Sequence, residues 1–89
     1  MKRVHVIVSG RVQGVGFRYF VLSLASRYNL TGWVKNLYNG DVELEAEGIS
    51  TRLAPFLSEI QEGNRFIRVT HMDVQEIDLV NDKKFRVVY

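Results

Sequence analysis

Residues 10–18 read Gly-Arg-Val-Gln-Gly-Val-Gly-Phe-Arg, and the types and spacing in this run suit the capture of a small anion. Gly14 and Gly16 free the backbone to curl, so that successive N–H groups can turn inward and approach a ligand closely. The run ends where a helical pattern begins, and a helix start gathers unpaired N–H groups and the positive end of the peptide dipoles. Phosphate is the natural guest of such a place. Arg18 falls in the first helical turn, off the apolar stripe, and its planar fork can grip a phosphate with two bonds. The run is neither of the common nucleotide motifs. No Gly-Lys-Ser/Thr follows it, and Tyr19 stands where a dinucleotide fingerprint would have its third glycine. On residues alone it reads equally well as a tight strand-to-helix connection carrying a surface arginine.

The elements that would position this loop are legible from periodicity. In residues 2–9, Val4, Val6 and Val8 alternate with His5, Ile7 and Ser9, the signature of a strand. Gly10 to Gly16 is a loop. From Phe17 the period changes: Phe17, Phe20, Val21, Leu24 and Tyr28 form one buried stripe of a helix, with Asn29 as a left-handed stop. Residues 31–37 make a second strand, and Asn39-Gly40 is a strong hairpin signal. In the third strand Val42, Leu44 and Ala46 face one way and Asp41, Glu43, Glu45 and Glu47 the other, which predicts one covered and one wet face. A second helix is predicted over about 51–62, capped by Ser50 or Thr51 and closed by Gly63, with Leu53, Phe56, Leu57 and Ile60 inward. Pro55 predicts a late or irregular start for it. Residues 66–77 form a fourth strand whose alternation slips near Thr70-His71, which predicts a bulge. Phe85, Val87 and Tyr89 alternate as a short last strand.

The order βαββαβ with an added strand leaves few arrangements. We expect an α+β, ferredoxin-like sandwich: a mostly antiparallel sheet in the order 4-1-3-2, with two helices on one face. Strands 1 and 2 then run parallel with strand 3 between them, so the loop after strand 1 and Asn36 near the end of strand 2 should meet in space.

Composition narrows the function classes. One domain spanning 1–89 is expected, with 46% hydrophobic residues and no Gly, Pro or Ser excess. Met1-Lys2-Arg3 leads straight into the first strand, so no secretory leader is expected, and no apolar run is long enough to cross a bilayer. The chain has no cysteine and only two histidines, which excludes disulfide and thiol chemistry and disfavours a transition-metal centre. A cytoplasmic monomer is the expectation. The net charge is only +2, and the basic residues are scattered around an acidic middle, unlike the basic stripe of a nucleic-acid binder.

Ser9-Gly10-Arg11-Val12-Gln13-Gly14-Val15-Gly16-Phe17-Arg18 resembles the first signature of the acylphosphatase family. Gly32-Trp33-Val34-Lys35-Asn36, followed by Gly40, Val42 and Gly48, resembles the second. The likeness extends over the whole chain, including the aromatic ending Phe85–Tyr89. It implies hydrolysis of the carboxyl–phosphate bond of a small-molecule acyl phosphate, releasing inorganic phosphate, without metal or cofactor. It also implies a phosphate loop made of Val12, Gln13, Gly14, Val15, Gly16 and Phe17, a phosphate-gripping Arg18, a water-positioning Asn36, and a last strand beside strand 2. One departure is Gly63-Asn64-Arg65-Phe66-Ile67, where the family often has a Gly-Pro pair and an alanine leading into strand 4; it puts local stability in question rather than the site.

Other residues have plainer readings. His5 and His71 read as surface or edge positions, the Glu43/Glu45/Glu47 row as solvated, and Trp33 as packing rather than a stacking platform. Arg11 reads as a free loop residue, and Lys83, Lys84 and Arg86 as a soluble edge. With the last strand parallel to strand 2, Tyr89 would end at the site, where its carboxylate could meet an arginine. Two other functions compete: an idle anion-binding module of the same fold, and an RNA-binding domain. The glutamates of strand 3, standing where an RNA-recognition strand carries aromatic and basic residues, argue against the second.

Overall fold

Alternation decides the sheet. Along β1 (Lys2–Arg11) and β3 (Val42–Gly48) every second residue is apolar and buried. The computed structural model, which describes all residues from 1 to 89, pairs these strands antiparallel, with Val4 opposite Ala46, Val6 opposite Leu44 and Val8 opposite Val42. The apolar rows thus merge into one face. Two helices cover it. From α1 (Phe17–Arg27) come Phe17, Val21 and Leu24, and from α2 (Ser50–Glu62) come Leu53, Phe56 and Ile60. Truncating a buried ring such as Phe56 to Ala would cost about 3–5 kcal/mol. β2 (Thr31–Asn36), β4 (Arg68–Ile77) and β5 (Phe85–Val88) complete a sheet of order β4-β1-β3-β2-β5. This is the expected ferredoxin-like order, with β5 parallel to β2 on the outer edge.

Local signals act as read at several places. Asn29 takes φ 55°, while the N–H of Leu30 bonds to Ala25 O and that of Asn29 to Ser26 O, the paired closure of a left-handed C-terminus. Gly63, at φ 66°, ends α2 with its N–H on Glu59 O and Ile60 O. Along the β1–β4 pair, Ser9 faces His71 but Gly10 faces Val69, so Thr70 is the extra residue of a bulge. In the departing segment, the Asn64 side chain accepts the N–H groups of Phe66 (2.8 Å) and Ile67 (3.0 Å), and Ile67 is buried.

Four expectations are corrected. β1 does not stop at Ser9 but runs on to Arg11, because the Thr70 bulge restores pairing past it. Gly10 is needed there: at φ 127° a Cβ would strike the Arg68 carbonyl oxygen. α2 begins at Ser50 without delay and carries Pro55 inside it. Only one intrahelical N–H is lost, in the second turn, where the neighbouring Arg52 and Ala54 are exposed and water can serve the freed carbonyl. No side chain caps that helix; extended Ile49 precedes it, and Arg52 N–H bonds to Ile49 O.

The fourth correction is the largest. The glutamate row is not uniformly wet, and Arg3 and Glu47 are only 1% and 2% exposed. Residues 78–84 cross from β4 to β5 over the ends of β1 and β3. There Arg3 meets Glu45 (2.8 Å), Glu47 (3.1 Å) and Asp82 (3.0 Å), and Glu47 also accepts the backbone N–H groups of Val80 and Asn81. Those backbone bonds, with Val80 foremost, hold the Glu47 carboxyl below the usual range, with Arg3 adding to them and burial opposing. Burial pulls the Arg3 guanidinium down, but its bonds to the three carboxylates outweigh it and raise it. Trp33 also lies on this outer face, half-buried, with the Lys35 ammonium 5.6 Å from its ring centroid. His5, on the same face, sits 2.7 Å from Glu43.

Candidate active site

The loop between β1 and α1 is anchored at both ends in the core. Val12 and Phe17 are each 1% exposed, while Gly14 and Gly16 lie at the surface. Both glycines take left-handed backbone angles, φ 74° and 75°, and a Cβ on either would meet nothing within 4 Å. Glycine is therefore required by the turn of the chain and not by lack of room. Gly16 is the residue before the helix and contributes no side-chain cap, so the N–H groups of the first turn keep no internal partner. A third tether is the Gln13 side chain. Its Nε2 donates to the carbonyl oxygens of Leu37 (2.7 Å) and Asp41 (2.8 Å), fastening the loop to the β2–β3 hairpin.

Between loop and sheet lies a cavity of about 230 Å³, several times the roughly 30 Å³ share of one liquid water. Val12, Gly14, Gly16, Phe17, Arg18 and Tyr19 line it from the loop and helix, and Asn36 from β2. The juxtaposition expected from topology is therefore present. Gln13 and Val15 do not line this cavity. Gln13 borders a second hollow of about 430 Å³ with Lys35, Asn36, Leu37 and Tyr38, so the two spaces adjoin at Asn36. Val15 is half-buried against the core.

Arg18 is half-buried and forms no ion pair. Its Nη1 donates to the Val88 carbonyl (3.3 Å), and its guanidinium carbon lies 4.7 Å from the centroid of the Tyr89 ring. The last two residues thus meet Arg18 through a main-chain carbonyl and an aromatic face. Asn36 is the other unusual group. Its Oδ1 is the one buried side-chain polar atom without a hydrogen-bond partner. An acceptor left so costs about 1–3 kcal/mol, and such atoms call for an explanation. No group of three or more His, Asp or Glu side chains is arranged to hold a metal ion.

A family model described as Acylphosphatase matches residues 4–87. The chain belongs to the acylphosphatase family. It is 52% identical to an acylphosphatase of Geobacillus thermodenitrificans, over all of this chain and 96% of that one, and 47% identical to one of Clostridium beijerinckii over the whole of both. The crystal structure of an acylphosphatase from Bacillus subtilis superposes with a TM-score of 0.96 at 44% identity, each chain fully covered.

In this member of the acylphosphatase family, the sequence anticipated that the loop, Arg18 and Asn36 come together, but not what holds them. The partners of Gln13 are backbone carbonyls, which carry no side-chain signature. The Tyr89 ring over Arg18 was signalled only by the aromatic ending and the parallel placement of the last strand. Tyr19 entered the sequence reading only as a missing glycine, yet it lines the cavity and its hydroxyl meets that of Tyr89. The ionisable groups with shifted pKa values lie outside the cavity, at Arg3, Glu47 and Tyr28, where a bond to Glu59 raises the phenol.

Proposed function

We propose that this chain hydrolyses the carboxyl–phosphate bond of acyl phosphates, giving a carboxylate and inorganic phosphate, with no metal or cofactor. The acyl oxygen is already a good leaving group, so neither a strong nucleophile nor a Lewis acid is obligatory. What remains for the protein is to stabilise charge on the phosphoryl oxygens and to place one water. The loop amides of Val12 to Phe17 and the unpaired Arg18 guanidinium serve the first task. The Asn36 amide, an acceptor and donor together, serves the second. The water oxygen bonds to phosphorus as the phosphorus–acyl oxygen bond breaks. The departing electron pair stays on the carboxylate, and the water's proton passes to a phosphate oxygen or leaves to solvent.

The observation that carries this reading is the meeting of Arg18, the glycine loop and Asn36 on the walls of one cavity. The reading takes residues 1–89 as one domain acting alone on a small molecule. Purified protein should release phosphate from benzoyl phosphate at the same rate with and without a chelator. No release, or loss of activity to the chelator, refutes it. Neither histidine lines the cavity, so kcat should stay nearly level through neutral pH; a sharp bell near pH 6.5 would implicate a histidine instead.

A further inference from the structure

In phosphoryl transfer the attacking and leaving oxygens lie roughly in line through phosphorus. If the water sits at Asn36 on β2, the acyl group must depart on the side of the phosphorus turned away from Asn36. Among the remaining walls of the cavity there is little for an acyl group to touch. Val12 and Phe17 spend their side chains in the core, Gly14 and Gly16 have none, and Arg18 is committed to phosphate and stacked by Tyr89. Tyr19 is left. It is 56% exposed, and it stands two residues from Phe17, off the buried stripe of α1, so the core does not account for its ring. Its hydroxyl meets that of Tyr89, itself exposed, so the Tyr19 ring on the cavity wall is held by a second exposed ring that stands outside the cavity lining. Exposed apolar surface beside convergent polar groups is the usual anatomy of a ligand site.

From this we infer that Tyr19 is the acyl-side wall of the site and confers a preference for acyl phosphates with a flat aromatic acyl group. The inference rests on the hydrolase reading above. A benzoyl ring can lie against Tyr19 in an offset or edge-on pair, whereas an acetyl group is too small to gain from it.

The test compares kcat/KM for benzoyl phosphate and acetyl phosphate in the parent, Tyr19→Ala and Tyr19→Phe, with inhibition by inorganic phosphate measured alongside. The benzoyl-to-acetyl ratio should fall about 2- to 12-fold in Tyr19→Ala. It should hold in Tyr19→Phe, which keeps the ring and loses only the hydroxyl contact with Tyr89. An unchanged ratio in Tyr19→Ala overturns the inference. So does a fall in Tyr19→Phe as large as in Tyr19→Ala, or a loss of phosphate inhibition matching the loss of benzoyl turnover, since each would mean that the effect passes through Tyr89 and Arg18. In all three cases the hydrolase reading stands, because it is judged on the parent protein's own phosphate release with and without chelator and not on the Tyr19 variants.

Discussion

Replacing Asn36 by Ala separates catalysis from folding, because the two effects should have opposite signs. Asn36 ends β2 opposite Val42, and its buried Oδ1 has no partner. Burying an unsatisfied acceptor costs about 1–3 kcal/mol, which the substitution relieves. Loss of the amide's own contacts at a half-buried position offsets part of that. The net expectation lies between no change and about 1 kcal/mol of added stability, a rise of at most about 4–8 °C in Tm for a domain of this size. Activity moves the other way. Removing a group that acts only in the transition state costs about 10²–10³ in kcat, or 2.7–4 kcal/mol. Inhibition by inorganic phosphate should survive, since Arg18 and the loop amides are untouched. The assays are initial rates on benzoyl phosphate, competition by phosphate, and a thermal melt. An Asn36→Ala protein with parental kcat refutes the assignment. One that melts several degrees lower and no longer binds phosphate would make Asn36 a structural residue.

Arg18→Ala should lose at least about 10²–10³ of kcat/KM together with phosphate inhibition, and Arg18→Lys should recover only part, because an ammonium lacks the two-pronged fork; an active Arg18→Ala enzyme ends that role. Gln13→Ala removes one of the two donors to each of the Leu37 and Asp41 carbonyls, which keep the Gly40 and Leu37 N–H groups, and should cost about 0.5–1.5 kcal/mol for each lost bond in a denaturant melt while raising KM. An unchanged KM would mean the loop holds its shape without the tether. Glu47 sets an acid limb on stability. Its folded pKa lies below the unfolded value of about 4.3, so the unfolded chain binds more protons in acid. Its contribution is full above the unfolded value and drains away as pH falls through the lower, folded one. Glu47→Gln should therefore melt below the parent at neutral pH, with the gap closing below about pH 4; a gap that ignores pH would contradict the assignment.

The sequence alone determined the backbone's local conformations and the face each residue presents. Valine alternation fixed the inner face of β1, the Phe17 stripe the buried side of α1, and Asn29, Gly63 and the Thr70 slip marked their own stops and bulge, because each reflects a preference of a few adjacent residues. Arg18 stood out locally as the arginine that closes a glycine-rich strand-to-helix turn, element order placed Asn36 near that turn, and the roles offered for Asn36 came from the family resemblance. Only the tertiary structure decided what comes to lie over each face. Arg3 and the glutamates of β3 alternate outward as solvated residues would, and nothing near them in sequence announces that residues 78–84 cross above and bury them. Gln13 could not declare partners 24 and 28 residues away that are bare carbonyls, nor Arg18 an aromatic ring at the far end of the chain. Periodicity reports the direction of a side chain from its own backbone. Its neighbours are set by strand order, register and crossing segments, which are properties of the whole fold.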